Sequence, residues 1–219
     1  MSEKDVRIHA AEGVALEGRL AVPASPHGGI VLCHPHPLYG GDMENPVIVR
    51  AAEGCAEAAV ATLRFNFRGV GKSGGTWAEG RGEEEDLRAA LRALAREVGG
   101  APLGALGYSF GAWIVALVAC AGEPLAGLAL VAPALGLFDF GCLEALPPRP
   151  FLLAAGTRDQ FCPLDRFQAL AARLPWATAT VIDGADHFFF GKLFPLGQAI
   201  TAFAQNLAAQ GTIVRGPAR

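Results

Sequence analysis

This 219-residue chain has no run of lysine or arginine, and no basic stripe interleaved with aromatics. With 18 basic against 21 acidic residues and a net charge of −3, it offers no surface for a polyanion, so nucleic acid is excluded as an expected partner. Its five cysteines (Cys33, Cys55, Cys120, Cys142 and Cys162) are odd in number and widely spaced, without a C-x-x-C pair or histidines at metal-ligand spacing. They are read as reduced core residues, with Cys162 the nearest to a site, and no metal is expected. An uninterrupted apolar span is also missing. The most membrane-like stretch, Phe110 to Phe138, is cut by Gly122, Glu123 and Pro124 into pieces shorter than the roughly 18 residues a crossing needs. The start, MSEKDVRIHA, carries charge where a secretory segment would be apolar, so the expected location is the cytoplasm, with no membrane partner.

What the chain has in quantity is apolar residues, 52% against 18% charged. That is the composition of a core-rich globule whose strands are buried on both faces. The length suits one domain spanning 1–219. Short β-type runs alternate with helical stretches along it: DVRIHA and VALEGRLAVP, GGIVLCH, VATLRFNF, APLGALGY, LAGLALVAP, RPFLLAAGT and WATATVIDG read as eight strands. Between them, NPVIVRAAEGCAEAA, EEEDLRAALRALAREV, SFGAWIVALVACAG, LDRFQALAARL and FPLGQAITAFAQNLAAQ have helical spacing, the first with Asn45 as cap and Pro46 at its first position. The tail GTIVRGPAR reads as frayed. The alternation predicts an α/β fold, a mostly parallel eight-stranded sheet with helices on both faces. Functional residues are then expected just after strand ends.

The stretch FNFRGVGKSGG, 65 to 75, matches three motifs at once. From Gly69 it is G-x-G-x-x-G, but no helix follows at once to hold a pyrophosphate. As a P-loop it needs glycine at position 66, which is Asn66. As G-x-S-x-G around Ser73 it lacks the tight strand-to-helix turn that exposes a nucleophile. Only four serines occur in the chain, and a second G-x-S-x-G, GYSFG at 107 to 111, has a strand directly before it and a helix directly after. Ser109 is therefore the expected nucleophile. A hydroxyl needs a base, and the base an orienting acid. The only histidine after Ser109 is His187, placed after the last strand. For the acid, Asp139, Asp159, Asp165, Asp183 and Asp186 are candidates; Asp159, two residues beyond a strand end, is favoured, while Asp165 reads as a helix start.

Ser109, Asp159 and His187, in that order after strands, resemble an α/β-hydrolase. CHPHPLYGGDMENPVI, LRFNFRGVGKSGG, GYSFGA, GTRDQFCP and DHFFFGK are together similar to small bacterial serine hydrolases related to dienelactone hydrolases, which usually carry cysteine where this chain has Ser109. The resemblance covers nearly the whole chain. It implies that RGVGKSGG shapes the floor and rim of the site, with Arg68 bracing loops and Lys72 and Ser73 in solvent. It also implies an oxyanion loop at HPHPLYGG. One donor would be the amide of Phe110; for the other, His36 is chosen because Pro35 and Pro37 have no N–H, with Leu38 or Tyr39 as fallback. The short connection between LALVAP and RPFLLA implies little or no lid. Tyr39, Trp77, Phe110, Phe138, Phe140, Phe161 and Phe188 are expected around an apolar pocket.

The activity implied is a serine hydrolase cleaving carboxylic esters or thioesters of small to medium acyl groups, without cofactor, on a small-molecule ester, a homodimer being left open. The alternatives are a non-catalytic binding protein of the same fold, or an acyltransferase or peptidase using the same three residues.

Overall fold

The computed structural model describes residues 2–214. Eight strands form one sheet in the order β1-β2-β4-β3-β5-β6-β7-β8. They are β1 (Lys4–His9), β2 (Ala15–Ala21), β3 (Gly29–Cys33), β4 (Ala61–Phe65), β5 (Leu103–Tyr108), β6 (Gly127–Val131), β7 (Phe151–Gly156) and β8 (Thr178–Ile182). From β4 through β8 every pairing is parallel; β2 alone runs antiparallel to both its neighbours. The central strands β3, β4, β6 and β7 are buried along their whole length, which is why they read as continuous apolar runs rather than alternating ones.

Helices α1 (Pro46–Glu57) and α5 (Leu193–Val214) cover one face, and α2 (Arg81–Glu97), α3 (Phe110–Cys120) and α4 (Leu164–Arg173) the other. α1 starts as its sequence predicts, with Asn45 Oδ1 accepting the Val47 amide and Pro46 at the first position. α2 opens at Arg81, ahead of the acidic run, because the Glu83 carboxylate reaches back to the amides of Ala78 and Gly80. α5 continues to Val214, into the tail expected to fray; residues 215–219 lie outside those described.

The cysteine expectation needs correction at two positions. Cys120, at the end of α3, and Cys142, in a 3-10 helix at Gly141–Ala145, form a disulfide, their Cα atoms 6.0 Å apart. The short helix packs against α3 and brings the pair within bridging range. Cys33, Cys55 and Cys162 are free and buried.

Candidate active site

The chain order of the strands reverses on either side of β3, and open α/β sheets bind ligands at such a switch point, beyond the carboxyl ends of the strands. Five loops meet there: 34–45 after β3, 109 after β5, 132–150 after β6, 157–163 after β7 and 183–192 after β8. The loop after β6 contains only the short 3-10 helix at Gly141–Ala145 and no covering α-helical lid.

Ser109 sits between β5 and α3 with φ 56° and ψ −113°, a conformation that non-glycine residues rarely hold. Its amide donates to the Val131 carbonyl of β6, which fixes the turn to the neighbouring strand. The flanking glycines are required by backbone on both sides: a Cβ on Gly107 would run into the Gly111 carbonyl, and one on Gly111 into the carbonyls of Cys33 and His34. Gly111 thus lets the start of α3 press against the end of β3. A bend so constrained leaves the Ser109 hydroxyl half-exposed at the cleft.

His187 Nε2 lies 2.9 Å from Ser109 Oγ. On the other side of the ring, Nδ1 is 2.9 Å from each carboxylate oxygen of Asp159. The Asp159 Oδ1 atom also accepts the amides of Phe161 and Cys162, both at 2.9 Å. The Tyr108 hydroxyl donates to the His187 carbonyl at 2.9 Å, and the Phe161 ring packs edge-on against the imidazole. Burial, with the carboxylates of Asp159 and Asp186 adding to it, pushes the Tyr108 phenol up, so it remains a neutral donor. Asp159 and His187 are buried; within this low-dielectric setting the carboxylate holds the proton on Nδ1 and leaves Nε2 as acceptor toward the serine. Such an arrangement can take a proton from a hydroxyl as it attacks an acyl carbon.

The other aspartates stand elsewhere. Asp165 is in the first turn of α4, Asp183 accepts from the Thr157 hydroxyl, Asp139 accepts from the Gly141 amide, and Asp186 accepts the amides of Phe188 and Phe190.

Two backbone amides of residues lining the cleft have no acceptor. Among the described residues neither the Phe110 nor the His36 amide makes a hydrogen bond. The two fallback donors are already engaged: the Leu38 amide donates to His36 Nδ1 at 3.2 Å, and the Tyr39 amide to the His36 carbonyl at 3.1 Å. His34, which sequence reasoning did not place, pins this loop. Its Nδ1–H donates to the Pro35 carbonyl at 2.6 Å and its Nε2 accepts the Phe67 amide at 3.0 Å. Full burial lowers its pKa to about 4, so the ring is neutral and serves structure. Burial also lowers the His36 pKa.

A cleft of about 500 Å³ opens over Ser109, and Tyr39, Phe138, Phe161 and Phe188 line it with Phe110 and His36. Two of the expected aromatics do not. Phe140 is buried in the core, and Trp77 stands behind the His36 ring, centroids 5.5 Å apart. Ser73 also departs from expectation, because it is buried rather than solvated. Its hydroxyl donates to the Asn66 carbonyl and accepts the Glu17 amide, tying the glycine loop to β2. Asn66, where a P-loop would need glycine, accepts the Met43 amide and donates to Glu17. Arg68 is paired with buried Asp86 at 2.8 Å and braces the loop against α2. Among the described residues no group of three metal-binding side chains occurs, and no helix is long and apolar enough to cross a membrane.

The eight-stranded sheet, the switch-point cleft and the strained serine at a strand-to-helix turn are those of the α/β-hydrolase fold, here in a lidless hydrolase of the serine type. The chain belongs to the family described as serine aminopeptidase, S33, whose model matches residues 25–140. An uncharacterized protein of Rickettsia prowazekii is 35% identical over 199 residues, covering 86% of this chain and 83% of that one. The structure of an alpha-beta serine hydrolase homologue from Coxiella burnetii superposes with a TM-score of 0.83 at 34% identity, covering 92% of this chain and 97% of the other. That of a serine hydrolase without lid from Xanthomonas campestris gives 0.81 at 28% identity, covering 100% and 97%.

Proposed function

We propose that this protein is a carboxylesterase that cleaves esters or thioesters of small to medium acyl groups through an acyl-Ser109 intermediate. Ser109 Oγ attacks the acyl carbon while His187 Nε2 takes its proton; the amides of Phe110 and His36 receive the negative oxygen of the tetrahedral intermediate. His187 then gives the proton to the leaving alcohol or thiol. A water molecule, deprotonated in turn by His187, releases the acid and restores the serine hydroxyl. Asp159 holds the imidazole in the tautomer that both steps need. No cofactor enters, the proposed setting is the cytoplasm, and the proposed functional likeness is to the dienelactone hydrolase-like group.

The observation that carries this reading is the unbroken contact from Asp159 through His187 to Ser109 at the floor of an apolar cleft. The lining of the cleft also favours the ester reading over the aminopeptidase one. An aminopeptidase must bind an α-ammonium group, which calls for a carboxylate in the pocket. No Asp or Glu is among the residues lining this one. The test is a panel of aryl esters of increasing acyl length beside aminoacyl anilides. Turnover of acetyl to hexanoyl esters with the anilides inert supports the reading; preference for the anilides contradicts it.

A further inference from the structure

Seven large hydrophobic side chains are exposed among the described residues, and six of them sit at the end of the sheet where the cleft opens: Leu38, Tyr39, Leu137, Phe188, Phe190 and Phe194. Tyr39, Leu137 and Phe188 line the cleft itself. Leu38 neighbours Tyr39 in the loop after β3, and the Phe190 ring stands 5.8 Å from that of Phe188. Phe194 lies in the first turn of α5, just beyond the loop after β8, and α5 runs alongside α1, with Gly54 against Gly197 and Thr201.

The exposure is built into the backbone. In the run Phe188-Phe189-Phe190 the middle residue has φ 54°, an unusual conformation for a bulky side chain. Phe189 is 0% exposed while its neighbours are 50% and 77% exposed. Asp186 holds that turn, its Oδ1 accepting the amides of Phe188 and Phe190 at 3.1 and 3.3 Å. One ring anchors in the core and two are presented outward.

We infer that this rim is a docking surface for a neutral lipid–water interface that carries the ester substrate. The inference rests on the esterase reading and names where that ester resides. A contiguous exposed apolar patch on a soluble chain marks an interaction site. Here the occupant must leave the cleft supplied with substrate. A second copy seated symmetrically on the rim would close both clefts, and a folded protein partner would close this one; an ester-bearing interface instead delivers its acyl group to Ser109. None of the six side chains is charged and the whole chain carries −3, which fits a neutral or zwitterionic surface and disfavours an anionic one. With no helical lid over the mouth, the rim meets the interface without a prior opening step. No spanning segment marks this rim in the sequence, because its residues come from stretches far apart in the chain.

The test pairs binding with catalysis. Ser109→Ala protein, which cannot consume a substrate, is sedimented with phosphatidylcholine vesicles, with and without phosphatidylglycerol, and with tributyrin emulsion. The same is done for the Phe190→Ser/Phe194→Ser double variant, whose two positions lie outside the cleft lining. The expected result is partition onto the neutral surfaces, no gain from the anionic lipid, and at least about a tenfold loss in the double variant. With Ser109 intact, the double variant should keep its kcat/KM on a soluble short-chain ester within about twofold and lose at least about tenfold on emulsified tributyrin. Absence of partition, or partition unchanged in the double variant, overturns the proposal. So does a dimer that the double variant dissolves without any binding to vesicles, which would make a second copy the occupant. Failure of the esterase reading is distinguishable, because the wild type would then not hydrolyse the soluble ester while vesicle binding persists.

Discussion

Asp159 faces His187 with both carboxylate oxygens 2.9 Å from Nδ1, and its Oδ1 is fixed in turn by the amides of Phe161 and Cys162. The acid is therefore held by its own loop before it orients the imidazole. Asp159→Asn replaces an acceptor with a group that can donate to Nδ1, which moves the ring proton to Nε2 and removes the acceptor facing Ser109. Ester turnover should fall by about 10⁴-fold in kcat with KM little changed. Steady-state kinetics on a soluble ester checks this, and a loss confined to KM would contradict it.

Gly111 lets the start of α3 abut the carbonyls of Cys33 and His34. Gly111→Ala should displace the Phe110 amide and the loop after β3 together, lowering kcat by about 100-fold or more in whatever protein folds. Gly74, where an added Cβ meets only ordinary van der Waals neighbours, is the control: Gly74→Ala should retain activity.

Buried His34 resists protonation until about pH 4, whereas the unfolded chain takes up that proton near 6.5. The sign follows directly. Stability from this residue is complete above pH 6.5, and declines as pH falls from 6.5 toward 4, by up to about 3 kcal/mol. Urea unfolding at several pH values should show a steeper decline below pH 6.5 for wild type than for His34→Gln. Parallel profiles would contradict the assignment.

Ser73 donates to Asn66 and accepts from Glu17. Removing its hydroxyl takes the partner from the buried Asn66 carbonyl and from the part-buried Glu17 amide, so Ser73→Ala should cost about 1–3 kcal/mol in equilibrium unfolding while kcat is unchanged.

The Cys120–Cys142 bridge closes a loop of 22 residues. Its loss should destabilise by about 3 kcal/mol. Thiol titration of the denatured, unreduced protein should count three reactive cysteines; five would contradict the bridge.

Much of this arrangement was legible in the residues, and what was not has physical causes. The central strands β3, β4, β6 and β7 declare themselves because burial on both faces requires unbroken apolar runs. Ser109 stood out because a G-x-S-x-G between a strand and a helix leaves the chain one tight turn, and His187 because no other imidazole follows it. The disulfide was invisible, since Cys120 and Cys142 meet only through packing of a short 3-10 helix on α3. Ser73 read as solvated because its glycine-rich surroundings gave no hint that the loop folds back on β2. Residue type alone points Trp77 and Phe140 toward the cleft, because it does not tell a lining aromatic from one behind it. The role of His34 depends on a contact with Phe67, 33 residues away.

The central claim is that the Ser109 hydroxyl is the activated nucleophile. Labelling with a fluorophosphonate, followed by mass spectrometric mapping, tests it most directly. A single adduct on Ser109, lost in Ser109→Ala and His187→Ala and retained in Ser73→Ala, is the predicted result. An adduct at another residue, or none on the folded wild-type protein, would contradict the account.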